Sequence, residues 1–383
     1  MTKKLITVLA IVTVAMFGLI ACDGGGGNSG TVENGAFKDS NVSGLRFQSG
    51  RQVGVTDANG VFSYRISDPV TFSVGDVIIG TTTGKSIVTP IDLVAGGSSD
   101  SPQVLNIVRF LMMLDLDGDP TNGITISAGV QTIARRWAQV DFSTSDLATE
   151  LVTIISDAAS IDGVPHVLPD ATTAKTHLES TLLCIHAGGY QGTFTGDDNG
   201  PFAVVADAKT GLVEGVAFSN NDQSVIFLNG TSSISFDQSV AFISGSASTG
   251  ATFSGQLIAP DQIEGTWDNT LFSISGSFSG SRVGGDPNAE FRFTGNYTGD
   301  DFGFFTADVD SVDNVSGVVY SILDDQQYSL SGSVTGNSLS ATASNGAEIT
   351  GVLDKPSGTL IGSWVNNSTN TNGTYIGSGC KLD

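Results

Sequence analysis

The sequence predicts a mainly β protein with a helical subdomain: a small β-sandwich, a helical segment, then tandem antiparallel β-barrel-like repeats of about eight strands each. Three observations lead there. Glycine supplies 49 of 383 residues and charged residues only 14%, against about 25% in ordinary soluble domains, and short apolar or alternating runs sit between turn residues through most of the chain. Residues 100 to 186 switch to a helical period. From Gly189 onward the chain repeats itself, since Thr195-Gly196-Asp197-Asp198-x-Gly200-x-Phe202 returns as Thr298-Gly299-Asp300-Asp301-x-Gly303-x-Phe305. A repeat of that length is a domain-sized module, too long for a solenoid turn.

Residues 1–21 read as a signal peptide: Lys3 and Lys4 open it, Leu5 to Ala21 is uncharged, and Cys22 follows. Leu19-Ile20-Ala21-Cys22 resembles the lipobox of bacterial lipoproteins. That resemblance implies that Cys22 is acylated and becomes the first residue of a mature chain anchored to the lipid bilayer of the cell envelope, on its periplasmic or outer surface. A membrane-spanning helix is the competing reading, but a run of about 17 residues is at the lower limit for a span, and Gly24 to Gly27 follow at once. Residues 22–35 are Gly-rich and are expected to be a flexible tether.

Residues 36–90 alternate strand and turn. Gly44-Leu-Arg-Phe-Gln, Gly60-Val-Phe-Ser-Tyr-Arg-Ile and Asp76-Val-Ile-Ile are the short runs, with Asn59-Gly60 expected to make a hairpin turn and Phe62 and Tyr64 to share one strand face. Thr56-Asp57-Ala58-Asn59-Gly60-Val61-Phe62 resembles the signature of carboxypeptidase-regulatory-like (prealbumin-like) domains. The resemblance implies a small β-sandwich acting as spacer or adhesion module. Gly80-Thr-Thr-Thr-Gly84-Lys85-Ser86 is one residue short of a phosphate loop, and Pro90 blocks the helix such a loop needs; a hairpin turn is expected there.

Residues 91–186 carry helices. Ser101-Pro102 gives an N-cap with proline at the first helical position, and Val104, Leu105, Ile107, Val108, Phe110, Leu111 and Leu114 make the helix apolar nearly all round, so it must be buried. A shorter helix is expected from Ser127 to Trp137, another after Ser145, and another behind Asp170 as cap, along Ala171, Ala174, Leu178, Leu182 and Ile185. The subdomain should pack beside the sandwich.

Residues 187–284 and 285–383 are the two repeats. In Phe272-Ser-Ile274-Ser-Gly276-Ser-Phe278-Ser the apolar residues face one way and the serines the other, the alternation of an antiparallel sheet with one wet face. Glycines recur at matched positions, Gly215 with Gly317 and Gly230 with Gly332, and predict bends or bulges where the sheet curls closed. An up-and-down barrel fits, either filled by side chains or holding one small ligand. By patterning alone the repeats resemble the barrels of calycins and of surface lipoproteins. Trp267 and Trp364 match across the repeats and are expected in the barrel cores.

A net charge of −23 excludes a basic nucleic-acid binder, and three cysteines with three histidines are too few and too badly spaced for a zinc module. With Cys22 acylated, Cys184 and Cys380 are the remaining thiols of an exported chain, and a disulfide between them is expected. Such a bridge requires its two cysteines to meet, which predicts that the first and last strands of the duplicated region are neighbours. Asp115, Asp117, Asp119 and Asn122 place oxygen ligands like the first half of a Ca²⁺ loop, although Pro120 stands where the EF-hand turn glycine would be and Ile126 where its glutamate would be; the alternative is a solvated acidic loop. The pairs Asp197/Asp198 and Asp300/Asp301 can be read as glycosidase carboxylates or as hairpin residues, and their duplication in strand-joining turns favours the latter. His166, His177 and His186 lie outside the repeats and are read as structural, which removes a Ser/His/Asp triad within a barrel.

Two function classes follow. One is a non-enzymatic, lipid-anchored envelope or surface protein with a binding, adhesion or structural role, its barrels taking a small ligand or a protein partner. The other is a carboxylate-dependent hydrolase acting outside the cytoplasm. An open apolar cavity in a barrel would favour small-molecule binding, a filled one a structural role.

Overall fold

The computed structural model describes residues 31–233, 240–286 and 289–382. Cys22 and most of the expected tether lie outside the described residues.

The N-terminal part holds β1 (Val32–Phe37), β2 (Val42–Ser43), β3 (Arg46–Ser49), β4 (Gln52–Val55), β5 (Val61–Arg65), β6 (Pro69–Val74), β7 (Val77–Thr83) and β8 (Ile87–Val88). All but β2 fall in two sheets, ordered β5-β1-β8 and β4-β3-β6-β7. Phe62 meets Phe72 edge-on at 5.0 Å between ring centroids, and Phe37 lies 4.9 Å from Phe72. Rings contributed by both sheets thus share one core, each pair adding about 0.5–1.5 kcal/mol beyond burial. Phe62 and Tyr64 do share a buried face.

Three local expectations need correction. Gly60 has the positive φ of +70° that a turn requires, yet β4 pairs with β3 and β5 with β1, so this turn is a corner between sheets and no hairpin. Asp57 builds it, its Oδ1 accepting from the N–H groups of Asn59 and Val61, both at 2.9 Å. The segment after β7 is likewise a crossover, because β7 pairs with β6 while β8 joins β1 in parallel. The tether expected over 22–35 gives way to strand at Val32, where β1 lies between β5 and β8 and the Tyr64 hydroxyl donates to Glu33 at 3.1 Å. A glycine-poor stretch with two backbone partners has no reason to stay coil.

The helical part comprises α1 (Pro102–Met113), α2 (Ala128–Ile133), α3 (Leu147–Glu150), α4 (Val152–Asp162) and α5 (Ala171–His186), with β9 (Ile124–Thr125) pairing in parallel with β2. Asp170 caps α5 by accepting from Thr173 N–H at 2.8 Å. Ser101 is the N-cap residue of α1 by position, but its hydroxyl accepts from Ser98 N–H at 2.9 Å and does not cap the helix. Val104, Ile107, Val108, Phe110 and Leu111 are fully buried, as an apolar helix demands.

Barrel 1 consists of β10 (Gly188–Gly196), β11 (Gly200–Ala206), β12 (Leu212–Ser219), β13 (Ser224–Ser232), β14 (Val240–Ala247), β15 (Thr252–Ile258), β16 (Gln262–Asn269) and β17 (Ile274–Val283). Barrel 2 repeats this with β18 (Ala289–Gly299), β19 (Gly303–Asp310), β20 (Asn314–Ser321), β21 (Gln326–Thr335), β22 (Ser338–Ala343), β23 (Glu348–Asp354), β24 (Thr359–Asn366) and β25 (Thr371–Lys381). Each closes antiparallel in sequence order, first strand on last. The matched glycines are not bulges: the strand pairings through Gly215, Gly230, Gly317 and Gly332 run without register shift. Gly215, Gly317 and Gly332 instead let neighbouring strands approach closely, a Cβ on each meeting backbone within 2.3 Å. Gly230, like Gly265, makes room for a ring, a Cβ there lying 2.8 Å from Phe253 Cζ and 2.4 Å from Phe278 Cζ respectively.

One continuous core joins the sandwich, the helices and barrel 1, whereas barrel 2 has a core of its own. The barrels touch side by side, Gly189 N–H donating to Thr306 Oγ1 at 2.8 Å and Asn296 Nδ2 to Glu214 Oε2 at 2.7 Å. Cys184 and Cys380 are bridged, with Cα atoms 5.8 Å apart. The route differs from the one expected. Cys184 lies in the last turn of α5 and Cys380 inside β25, while β10 and β25 each pair within their own barrel. The bridge fastens a helix of the larger body to the closing strand of barrel 2. Among the described residues no helix is long and apolar enough to cross a membrane.

Candidate functional site

In an up-and-down barrel, alternate turns collect at one end. The turns 197–199, 220–223, 248–251 and 270–273 therefore ring one mouth of barrel 1. Beneath them lies a cavity of about 180 Å³ lined by Phe194, Phe202, Ile226, Leu228, Phe253 and Phe278, among other apolar side chains. Asp198, Asp222, Thr249 and Asn269 stand at the rim, with Phe272 beside them and 68% exposed. The opposite end is blocked by buried groups. Tyr190, 1% exposed, donates its hydroxyl to the His186 carbonyl of α5 at 2.8 Å.

Glycine spacing keeps the space open. Because Gly255 and Gly265 carry no side chains, the tip of the Phe278 ring can sit over them, its Cζ 2.8 and 2.4 Å from where their Cβ atoms would lie. Trp267 stands edge-on to Phe194 at 6.0 Å and donates its Nε1 to Thr195 O at 3.2 Å, so it forms wall.

Barrel 2 has the same frame and a cavity of about 60 Å³. Phe194, Ile226 and Phe278 are replaced by Tyr297, Tyr328 and Tyr375. The Tyr297 hydroxyl donates to Asp301 Oδ2 at 3.0 Å and Tyr328 to Asp324 Oδ2 at 2.9 Å. Burial, with Asp301 close by, pushes the Tyr297 phenol far up, and burial alone pushes Tyr375 up to about 12. All three stay neutral at physiological pH; Tyr297 and Tyr328 donate, whereas among the described residues the buried Tyr375 hydroxyl has no hydrogen-bond partner. Trp364 is 8% exposed and packs edge-on with Tyr297 at 5.9 Å, the core position expected of it.

The aspartate pairs are divided between two tasks. Asp197 Oδ2 accepts from Ser275 N–H and Asp300 Oδ2 from Asn372 N–H, both at 2.9 Å, so the first of each pair fixes a turn. The second of each pair faces a barrel mouth. Sequence reading missed Asp222 and its counterpart Asp324, which sit in turns without a repeated motif; the matched strand lengths around them were the available signal.

The loop of Asp115, Asp117, Asp119 and Asn122 is gathered by its own hydrogen bonds. Asp115 Oδ1 accepts from Thr125 N–H at 2.8 Å, Asp117 from Asp119 N–H and Asn122 Nδ2, both at 3.0 Å, and Asp119 from Thr121 N–H at 3.1 Å. Burial pushes Asp115 up to about 6, whereas the Asn122 amide and the Asp119 N–H hold Asp117 below the usual carboxylate range. Among the described residues no group of three or more His, Cys, Asp or Glu side chains is placed to hold a metal ion. His166 bonds to Met113 O at 2.7 Å and Asp162 at 3.1 Å, and His177 lies 3.5 Å from Asp39.

No protein-family model and no curated relative matches the chain. Among solved structures it is similar to the isotype 1 transferrin binding protein B (TbpB) of serogroup B Neisseria meningitidis, at 12% identity over 50% of this chain and 58% of that one, with a TM-score of 0.18. It is also similar to intact Ap-TbpB, with its N and C lobes, at 9% identity over 48% of this chain and 66% of that one, again with a TM-score of 0.18. The chain spans less than two thirds of the length of either. Values this low carry neither fold nor partner across.

Proposed function

We propose that this protein is a non-enzymatic, lipid-anchored protein of the bacterial cell envelope whose barrel 1 binds a small molecule through an apolar group. The barrel 1 cavity carries this reading: it is open at one end, walled by apolar side chains, and three times the volume of its counterpart in a barrel of the same frame. The lipobox-like Leu19-Ile20-Ala21-Cys22 supports the anchor at Cys22, and the carboxylates of the turns serve turn geometry or the rim. Titration calorimetry of toluene into the full chain in lipid nanodiscs tests the cavity. Saturable binding that Phe194→Tyr/Ile226→Tyr abolishes is expected, and absence of binding to wild type overturns the reading. For the anchor, Cys22→Ala should move the protein out of the membrane fraction or leave it unprocessed.

A further inference from the structure

The rim of barrel 1 carries charge that nothing near it answers. Between residues 190 and 281 the sole Lys, Arg or His is Lys209. It lies in the turn at the far end of the barrel and is bonded to the Ser357 carbonyl. None of the four turns ringing the mouth contains a cation. Asp198 accepts one local bond, from Asn199 N–H at 2.7 Å. Among the described residues the Asp222 carboxylate has no hydrogen-bond or ionic partner. Barrel 2 provides the contrast, because there the equivalent Asp301 and Asp324 are engaged by tyrosine hydroxyls and the replacements Phe194 and Ile226 remove those donors from barrel 1.

We infer that the barrel 1 cavity takes a small amine, its ammonium group held at the mouth by Asp198 and Asp222 and its single-ring or short alkyl body inserted into the apolar interior. This rests on the binding role proposed for the same cavity and adds the chemistry of the ligand's head. Three features converge on it. Size comes first: about 180 Å³ is close to the roughly 150 Å³ of an apolar cavity that holds one benzene ring. Second is charge. Two carboxylates beside an apolar wall leave an ammonium its hydrogen bonds while rejecting an anion, and unpaired charges facing an anion are a strong source of discrimination. The surrounding field has the same sign, residues 190 to 383 holding 21 acidic against 5 basic residues, which concentrates cations at the mouth. Third, Phe194, Trp267 and Phe272 line the approach, and aromatic faces attract ammonium groups.

The test is titration calorimetry on the full chain in nanodiscs, with empty nanodiscs as blank, using three ligands of matched body: 2-phenylethylamine, neutral toluene and anionic 3-phenylpropionate. Wild type should bind the amine at least about tenfold more tightly than toluene and should not bind the anion. Raising the salt from low to high ionic strength should weaken the amine alone. Asp198→Asn/Asp222→Asn should reduce amine affinity at least about tenfold, leave toluene unchanged and admit the anion. Equal binding of amine and toluene by wild type, or amine binding untouched in the double variant, overturns the inference while leaving the apolar pocket standing. Amine binding that survives Phe194→Tyr/Ile226→Tyr places the site outside the cavity and also overturns it. If wild type binds neither toluene nor amine, the pocket reading fails, and the inference with it.

Discussion

Barrel 1 and barrel 2 close with the same strand order, and their glycines fall at matched places, yet the positions filling that frame were given to different ends. Where barrel 1 pairs Gly189 with Val205 across β10 and β11, barrel 2 pairs Arg292 with Asp308 across β18 and β19. Arg292 makes two bonds of 2.8 Å to the Asp308 carboxylate, both residues are buried, and Arg292 Nη1 also reaches the Ala187 carbonyl just past α5 at 3.3 Å. Inside, barrel 2 uses tyrosines that reach its own aspartates, and barrel 1 uses Phe and Ile and keeps the space. Their attachment differs too: barrel 1 shares its core with the sandwich and helices, while barrel 2 keeps a separate core and is joined across a surface that includes Val205, Phe304 and Val318, polar contacts and one covalent bridge. A duplicated barrel can thus divide its tasks, one copy kept open and the other filled and fixed, by changes at a few inward positions and at positions facing the neighbouring body that leave the backbone frame intact.

The bridge offers the largest test of that division. Closing 196 residues of sequence should contribute on the order of 5 kcal/mol by chain entropy. Cys184→Ser/Cys380→Ser is therefore expected to lower the denaturant midpoint most for barrel 2, followed by hydrogen exchange in β25, while exchange in barrel 1 changes little. Equal loss in both barrels would show that the two cores unfold as one. Thiol titration of the unfolded, unreduced chain should find neither Cys184 nor Cys380 free.

Next in size is the buried ion pair. Arg292→Leu leaves Asp308 without its charge partner and should cost about 3–5 kcal/mol, whereas Arg292→Leu/Asp308→Leu, moving toward the apolar pairing of barrel 1, should recover most of it. Chemical denaturation of the single and double variants measures this.

The tyrosines come third. Tyr297→Phe/Tyr328→Ile/Tyr375→Phe gives barrel 2 the barrel 1 residues at these three interior positions and removes two hydroxyl bonds to aspartate, at a cost of about 3 kcal/mol. The variant should gain a second toluene site by calorimetry. If no second site appears, these three side chains do not set the cavity, and the remaining lining differences, such as Val319 for Ala217 and Ile349 for Phe253, or the backbone shape do.

The smallest effect lies in the body whose core barrel 1 shares. Asp39 is fully buried and burial pushes its carboxyl up to about 6, with His177 at 3.5 Å drawing it partly back. Relative to the unfolded chain, folding favours the protonated form. Its stabilising contribution is therefore complete below the unfolded value near 3.8 and is lost as the pH rises through about 6. Asp39→Asn should raise stability at pH 7.5 by about 2 kcal/mol, and the gain should fade as the pH falls toward 4; thermal melts at the two pH values decide it.

Much of the architecture was legible because it is written in period and repetition. Ser–apolar alternation through Phe272 to Ser279 marks an inward and an outward face, the Thr-Gly-Asp-Asp repeats mark corresponding turns, and the all-round apolar surface of α1 requires burial whatever its neighbours. Cys184 and Cys380 could be paired by elimination. Strand partners were less legible: Asn59-Gly60 has the local chemistry of a hairpin, but a turn does not record which sheet its next strand will join, and here the packing of Phe37, Phe62 and Phe72 decided. The site itself was the least visible. Asp198 was noticed for its motif and Asp222 was passed over, because a carboxylate acquires its meaning from what faces it.

By itself, then, the sequence determined the β character, the duplication, the buried helix and the excess of negative charge, all of which depend on residue type and spacing along the chain. Tertiary structure alone decided that the bridge runs from α5 to β25, that Gly265 receives a ring, and that Asp222 stands unanswered at a mouth while Asp324 is held by Tyr328. These depend on distances between residues far apart in the chain. Whether a polar group is satisfied, and whether a space is filled, is settled only when those residues are brought together.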